Sequence, residues 1–396
     1  IVAAASMAMA VANGYQAALM APTGILAEQH YQSLSRILAA VPMAAPINVK
    51  LLTGATTPQE RAEILWGLGE GSVNVIVGTH ALIEGEVNFA HLGIAIIDEQ
   101  HRFGVEQRGR LRGKGVNPHV LIMTATPIPR TLALTVHADL DLTILDEMPP
   151  GRTPVDTMIV QPNERERAYS FIEAQLEKER QAFIVYPLVE ESESEALAEV
   201  GSAVEQYERL QQEVFHRYKV GLLHGRMSPA EKDEVMAAFS RGEINILVST
   251  SVVEVGIDVP NASVMLVEGA NRFGLAQLHQ FRGRVGRGEH ASFCLLIPDK
   301  TDDDNARLKA MEATTDGFVL AEMDWKMRGA GDMLGTRQSG GQAYLTEYMD
   351  PRLVEEAQTE ARTLYEEDPD LALPEHAALR ERLRETFGDR TGADFS

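Results

Sequence analysis

Short apolar runs alternate with longer amphipathic stretches along most of this chain, and that order leaves few folds open. Residues 17–21, 49–52, 73–77, 93–98, 120–124 and 140–145 read as strands. Residues 25–40 and 58–68 between them have helical spacing. Strands separated by helices imply a parallel sheet with crossover connections. The stretch Pro149-Pro150-Gly151-Arg152-Thr153-Pro154 breaks the pattern and predicts a linker. A second series follows, with strands at 183–186, 221–223, 244–248, 264–267 and 292–297, a long acidic helical stretch after Tyr186, and a helix at 229–240. Beyond residue 300 the strands stop: 302–327 and 350–386 look helical and 328–343 is Gly-rich. The expected class is therefore α/β, with two parallel-sheet domains in tandem, read as distant structural copies, and a C-terminal helical region. The expected boundaries are 1–148, 149–300 and 301–396. A chain of 396 residues is too long for a single core, which agrees with this division.

Composition excludes several classes. The hydrophobic fraction is 44% and the charged fraction 24%, as in ordinary soluble domains. No apolar run reaches membrane-spanning length. Residues 1–12 are apolar and small but lack a basic flank, so they read as an internal helix cut at its start and not as a signal peptide. The single cysteine, Cys294, sits in an apolar run and predicts a buried inert thiol; disulfides are excluded by count, which suits the cytoplasm. The net charge is −22, opposite to the basic footprint of most nucleic-acid binders. The acid is concentrated: residues 190–213 hold eight Glu and one Arg, and residues 351–396 hold twelve acids and six Arg. A local basic groove is compatible with this, but net charge gives it no support.

Two segments carry chemistry when taken together. Asp98-Glu99 closes an Ile-rich strand, and ligands of open α/β sheets bind beyond the carboxyl ends of strands. Such a pair can hold Mg²⁺ and orient a water, or merely cap the following helix. Arg284 and Arg287 lie among Gly283, Gly286 and Gly288, after Gln277 and Gln280 at helical spacing. Guanidinium groups suit bidentate phosphate contact. The acid pair and the arginine cluster read as two halves of one nucleotide triphosphatase site. Thr23, Thr53-Gly54, Thr79-His80, Thr124 with Thr126, and Ser249-Thr250 also lie at strand ends, where they can meet nucleic-acid phosphates. Turn and cap chemistry is the competing explanation for each. Gly256 and Asp258 follow Thr250, and Asp258 can accept from a ribose or pair with an arginine.

The ordered motifs resemble superfamily 2 DNA helicases, and within them the RecG family of branch-migration helicases. The segments are Pro22-Thr23 with Ile25-Leu26-Ala27-Glu28-Gln29-His30, Asp98-Glu99-Gln100-His101, Thr124-Ala125-Thr126-Pro127, His224-Gly225-Arg226-Met227, residues 249–260, residues 277–287 and Gly335-Thr336-Arg337-Gln338-Ser339-Gly340. The resemblance implies two RecA-like domains that bind ATP and Mg²⁺ between them. Asp98 and Glu99 would hold the metal and polarise water, with Gln280, Arg284 and Arg287 completing the site and Gly256 and Asp258 near the nucleotide. His101, His224 and Arg226 would join the threonine turns on the DNA side, and Arg307, Arg328 and Gln338 would couple the motor to DNA movement. Branched double-stranded DNA is the implied substrate (stalled forks and Holliday junctions, in recombination and repair), single-stranded DNA-binding protein an implied partner, and a monomer the implied state. The transcription-repair coupling factor shares this motor, and a non-catalytic nucleic-acid-binding module is a third possibility.

The chain departs from the family pattern in places. Nothing fits Gly-x-x-x-x-Gly-Lys-Ser/Thr, and Gly113-Lys114-Gly115 lacks both the spacing and the hydroxyl. The expectation is that the sequence starts just after that phosphate loop, lacks the family's N-terminal wedge domain, and hydrolyses ATP poorly by itself. Gly24 stands where the family usually has Glu.

Overall fold

The structure, a computed structural model, describes residues 1–43, 45–99, 103, 105–125, 141–145, 147, 153–187, 203–250, 259–301, 305–328 and 351–387. One compact unit comprises Ile1–Thr126 with Pro149–Thr315; the other comprises Pro127–Met148 with Asp316–Ser396.

The first unit contains two parallel sheets. In the first sheet, β1 (Gln16–Met20), β2 (Val49–Leu52), β3 (Val75–Gly78), β4 (Leu92–Asp98) and β5 (His119–Met123) lie in the order β2-β3-β1-β4-β5. In the second, β6 (Val155–Ile159), β7 (Gln181–Val185), β8 (Val220–Leu223), β9 (Ile246–Ser249), β10 (Ala262–Glu268) and β11 (Ser292–Ile297) lie in the order β6-β11-β10-β7-β9-β8. Every pairing is parallel. The helices are α1 (Val2–Ala12), α2 (Gly24–Ala39), α3 (Pro58–Glu70), α4 (Val105–Arg112), α5 (Arg165–Leu176), α6 (Pro229–Ser240), α7 (Leu275–Arg282) and α8 (Ala306–Ala313).

Parallel strands covered on both faces must be apolar at every position, and the period of two then sorts their side chains between two cores. Ala18, Met20, Ile76, Ala95 and Ile97 pack on one face against Ile64 and Leu68 of α3. Ala17, Leu19, Val75, Val77, Ile94 and Ile96 pack on the other against Met7 of α1 and Leu26, Leu34 and Leu38 of α2. Each fully buried aliphatic side chain contributes about 1.5–3 kcal/mol. In the second sheet Ile184, Val248, Leu266 and Ile297 pack with Tyr169 and Ile172 of α5. Cys294 is fully buried in β11, as the sequence predicts, and burial pushes its thiol up to about 12.

The two sheets repeat one plan. Reading the second as β8-β9-β7-β10-β11 reproduces the order of the first, with β6 added at one edge. Each central strand begins with a buried glutamine. The Gln16 amide donates to the carbonyls of Leu68 and Val73 at 3.0 and 2.8 Å, and that of Gln181 to Phe239 and Ile244 at 2.6 and 2.7 Å. Both glutamines thus fasten the end of a helix to the start of the next strand. Those helices, α3 and α6, also start alike: Thr57 with Glu60 and Ser228 with Glu231 form capping boxes, each followed by Pro at the first helical position.

Two strand expectations change. Residues 155–159 form β6, inside what the sequence presents as post-linker coil; its alternating half-exposed pattern is that of an edge strand, with too short an apolar signal to stand out. Residues 141–145, expected as strand, form none, and Leu142 and Leu145 are exposed, so no sheet face is there to bury them.

In the second unit the described helices are α9 (Gly317–Arg328), α10 (Pro351–Glu367) and α11 (Ala377–Phe387). The expected helix over 302–327 is therefore two. The break falls at Thr314-Thr315-Asp316, where the Asp316 carboxylate accepts from the amides of Phe318 and Val319 and starts α9 afresh. Arg362 of α10 donates to Asp141 at 2.8 Å. No described helix is long and apolar enough to cross a membrane.

Candidate functional site

All strands of the first sheet are parallel, so their carboxyl ends form one edge, and eight of the predicted site residues lie on it. Thr23 follows β1 and caps α2, its hydroxyl accepting from the Leu26 amide at 3.4 Å. Thr53 follows β2 and is tied into a turn: its amide donates to the Thr56 hydroxyl at 2.9 Å, and its own hydroxyl accepts from Ala55. Gly54 beside it is exposed, with open space where a side chain would start. Gly78 ends β3 so close to β2 that a Cβ would lie 2.3 Å from the Leu52 carbonyl oxygen, and any other residue there would displace the strand. Thr79 follows, buried, with its amide donating to that same oxygen; His80 is exposed. Thr124 is exposed just past β5.

Asp98 and Glu99 end β4 beside β1, where the connections of the sheet diverge and ligands of open sheets bind. Asp98 is held from two sides. His30 Nε2 lies 2.7 Å from Asp98 Oδ2, and the Glu99 amide donates to Asp98 Oδ1 at 3.1 Å. Glu99 has φ of 52°, in the left-handed region that costs a non-glycine residue about 1–2 kcal/mol. Strain of that kind gathers at functional sites. His30 is absent from the residues that sequence reasoning picked out for chemistry. It lies seven positions after the helix cap Thr23, two turns along the same face of α2, so the signal existed. Two adjacent carboxylates suit Mg²⁺, which is commonly bound through one or two carboxylates together with nucleotide phosphates and water. Among the described residues no cluster of three or more ligating side chains offers a full protein cage for a metal.

Gly24, at the start of α2, faces an acid, and a side chain there would meet it in ordinary contact. A Cβ there would sit 3.4 Å from the carboxylate of Asp233 on α6. Burial, then Glu28, already raises the Asp233 pKa, so a third acid would add repulsion.

The second sheet and the helices on it carry further predicted residues. Ser249 and Thr250 end β9, both buried; the Thr250 amide donates to the Leu223 carbonyl and the Ser249 hydroxyl to the Thr250 carbonyl. His224 follows β8, its pKa lowered by burial and then by Lys232, with Glu231 opposing; Arg226 is exposed. Gln280 is half-buried on α7. The three arginines after it divide by environment. Arg282 is buried and donates to the carbonyls of Met311 and Thr314, both at 2.8 Å, fastening α7 to the end of α8. Arg284 is buried in the turn after α7, and Arg287 is exposed with its Nε donating to the Gly283 carbonyl at 3.2 Å. Gly286 has φ of 78° and packs so tightly that a Cβ would lie 2.7 Å from Val155. Arg307 is half-buried on α8, which Asn305 caps.

The first sheet thus gathers Asp98, Glu99 and the threonine turns on one edge, and the second gathers Ser249, Thr250 and His224 on its own. The acid pair and the arginines stand on different sheets. Gln100, His101, Thr126, Gly256, Asp258 and Gln338 lie outside the described residues, and Arg328 is described only as the last residue of α9.

Comparison with known proteins adds independent findings. The DEAD/DEAH box helicase profile matches residues 1–135, and the helicase conserved C-terminal domain matches residues 165–289. The profile of ATP-dependent DNA helicase RecG, domain 3, C-terminal, matches residues 314–390. The ATP-dependent DNA helicase RecG of Synechocystis is 47% identical over 393 residues, covering 98% of this chain and 46% of the relative. That of Bacillus subtilis is 47% identical over 385 residues, covering 96% and 55%. A solved structure of RecG bound to a three-way DNA junction aligns with TM-score 0.70 and 47% identity, over 86% of this chain and 44% of that one. Yeast Dbp5 bound to RNA and ADP BeF3 aligns at 0.52 with 16% identity, over 88% of this chain and 81% of that one, a likeness of fold alone. The chain spans about half the length of the curated relatives it matches.

Proposed function

The chain belongs to the RecG family of helicases, and from that premise we propose that it is the motor of an ATP-dependent DNA helicase that remodels branched double-stranded DNA. The observation that carries this reading is the strained, doubly held acid pair Asp98-Glu99 at the divergence point of a helicase sheet, in a chain that also carries the Gly-spaced Arg284 and Arg287. The RecG-specific match over residues 314–390 favours this reading over the coupling-factor translocase.

In this reading ATP lies between two RecA-like domains, residues 1–148 and 149–300, followed by a translocation and helical region at 301–396. Mg²⁺, when bound with the nucleotide, supplies charge neutralisation at the phosphates. Asp98 would hold it through a carboxylate that His30 keeps oriented, and Glu99 would serve as the base for the attacking water. Arg284 and Arg287 stabilise the charge that develops on the transferring phosphoryl group. The threonine turns at 23, 53 and 79, with Ser249, Thr250 and Arg226, grip DNA phosphates, contacts that fix register and carry no sequence information. Arg307, Arg328 and Gln338 transmit domain movement to the DNA. The test is ATP turnover by the intact protein with and without a three-way junction. Stimulation by the junction that Glu99→Gln abolishes is expected; junction-stimulated turnover that survives Glu99→Gln would overturn the reading.

A further inference from the structure

At the carboxyl ends of β7 and β10 the second sheet borders a separate, half-open cavity of about 330 Å³. From β7 the connections run to β8 and β9 on one side and to β10 and β11 on the other, so the cavity occupies the divergence point of this sheet. Open parallel sheets hold ligands at that point. In the repeated plan β10 corresponds to β4, so Glu268 at its end corresponds to Asp98. The counterpart position, however, has a different lining: three arginines, Arg165, Arg209 and Arg272, with Tyr186, Glu268 and Asp299.

The two carboxylates do not make the cavity acidic. Glu268 receives Arg165 in a two-pronged contact at 2.8 and 3.0 Å and the Tyr169 hydroxyl at 3.3 Å. Its charge is spent on those donors. Asp299 is half-exposed, 3.8 Å from Arg272. With Arg165 and Arg272 set against these acids, Arg209 is the remaining positive charge. Its Nη2 donates to the Tyr169 hydroxyl at 3.1 Å, while its Nε–H is buried without a hydrogen-bond partner. The Tyr186 hydroxyl is also buried and is held only by the Tyr169 hydroxyl beside it, an oxygen that already accepts from Arg209 and donates to Glu268. Burial, then Tyr169 and Glu268, push its pKa far up, so it stays a donor. A buried donor left unmet costs about 1–3 kcal/mol, so the Arg209 Nε–H, with the shared Tyr186 hydroxyl beside it, calls for an acceptor from outside. The floor is made by Gly269, with φ of 56°; a Cβ there would lie 2.9 Å from Pro187 and 3.0 Å from Asp299 and would fill the cradle.

We propose that this cavity binds a single phosphate group, taking its oxygens on the Arg209 Nε–H and the Tyr186 hydroxyl. The proposal stands apart from the ATPase reading of the first sheet, because it uses none of that site's residues. The phosphate can belong to a soluble ester or to a nucleic-acid backbone.

The experiment titrates the 396-residue chain with inorganic phosphate at constant ionic strength, followed by calorimetry. Saturable binding is expected in the wild type. Tyr186→Phe removes only the hydroxyl and keeps the packing, and Arg209→Lys keeps the charge but loses the Nε–H. Each should weaken binding about tenfold, the factor for one hydrogen bond to a charged group. Arg241→Gln, a surface arginine paired with Glu243, should leave it unchanged. Absence of saturable binding, or full affinity in both Tyr186→Phe and Arg209→Lys, would overturn the proposal. A short DNA duplex that phosphate displaces identifies a backbone phosphate as the occupant; adenosine monophosphate binding with no effect on the duplex identifies a soluble ester.

Discussion

Replacing Arg282 with Met should destabilise the first unit without touching the proposed chemistry. Arg282 is 4% exposed, and its guanidinium donates to two carbonyl oxygens at 2.8 Å, those of Met311 and Thr314, and to His279 Nδ1 at 2.9 Å. A hydrogen bond from a charged donor contributes about 1.5–3 kcal/mol, and each carbonyl left bare inside the protein costs a similar amount. Against this stands the cost of burying the charge, which is real here: burial holds the Arg282 pKa below its ordinary value. Methionine keeps the stem and removes that cost. The balance is a loss of about 3 kcal/mol, or a fall in Tm of about 6–12 °C for a domain of this scale. Urea unfolding followed by circular dichroism measures it, with an unchanged slope showing that only stability moved. Arg282→Lys should recover less than half, because one ammonium cannot span both carbonyls and the imidazole. A loss under about 1 kcal/mol in Arg282→Met would refute the assignment of this arginine as the fastener between α7 and α8.

Other expectations follow from the same structure. Tyr169 is buried, and burial raises its pKa from 10.0 to about 12. The folded state holds that proton more tightly than the unfolded chain, so its stabilisation is complete below pH 10 and is lost as pH rises through about 12. Wild-type stability should therefore fall in that window by about 3 kcal/mol more than that of Tyr169→Phe, read from urea midpoints at each pH; parallel curves would contradict this. Gly286→Ala should cost about 2 kcal/mol or more, since it places a Cβ at positive φ and 2.7 Å from Val155. Gly109→Ala, in α4 with open space around it, should instead stabilise by about 1 kcal/mol, and urea midpoints of the two variants moving in the same direction would be inconsistent with both assignments.

The fold was legible where physics acts locally. Strands buried on both faces must be continuously apolar, so β1, β3, β4, β7, β9 and β10 announce themselves in the sequence, as do the Thr57-Pro58 and Ser228-Pro229 helix starts. Strand β6 did not, because an edge strand alternates Val, Asp, Thr, Met and Ile with one side in solvent. Asp98 and Glu99 were legible from their place after an apolar run. Their partner His30 left a weaker mark: it shares the helix face of the cap Thr23, but only the packing of α2 on the sheet shows that it reaches Asp98, 68 positions away, at 2.7 Å. The roles of Arg282 and Arg284 are equally invisible in a Gly-spaced string of like residues; burial and the carbonyls of α8 separate them. The arginine-lined cavity of the second sheet draws on residues from 165 to 299 with no local motif among them.

One measurement reaches the core of the proposed mechanism: ATP turnover by the intact protein carrying Glu99→Gln, Arg287→Gln, or both. If the acid and the guanidinium serve one phosphoryl group, each single change lowers kcat by about a thousandfold and the double change costs little more than the worse single one. Losses that multiply, or turnover untouched by Arg287→Gln, would show that the two sheets do not share a reaction centre.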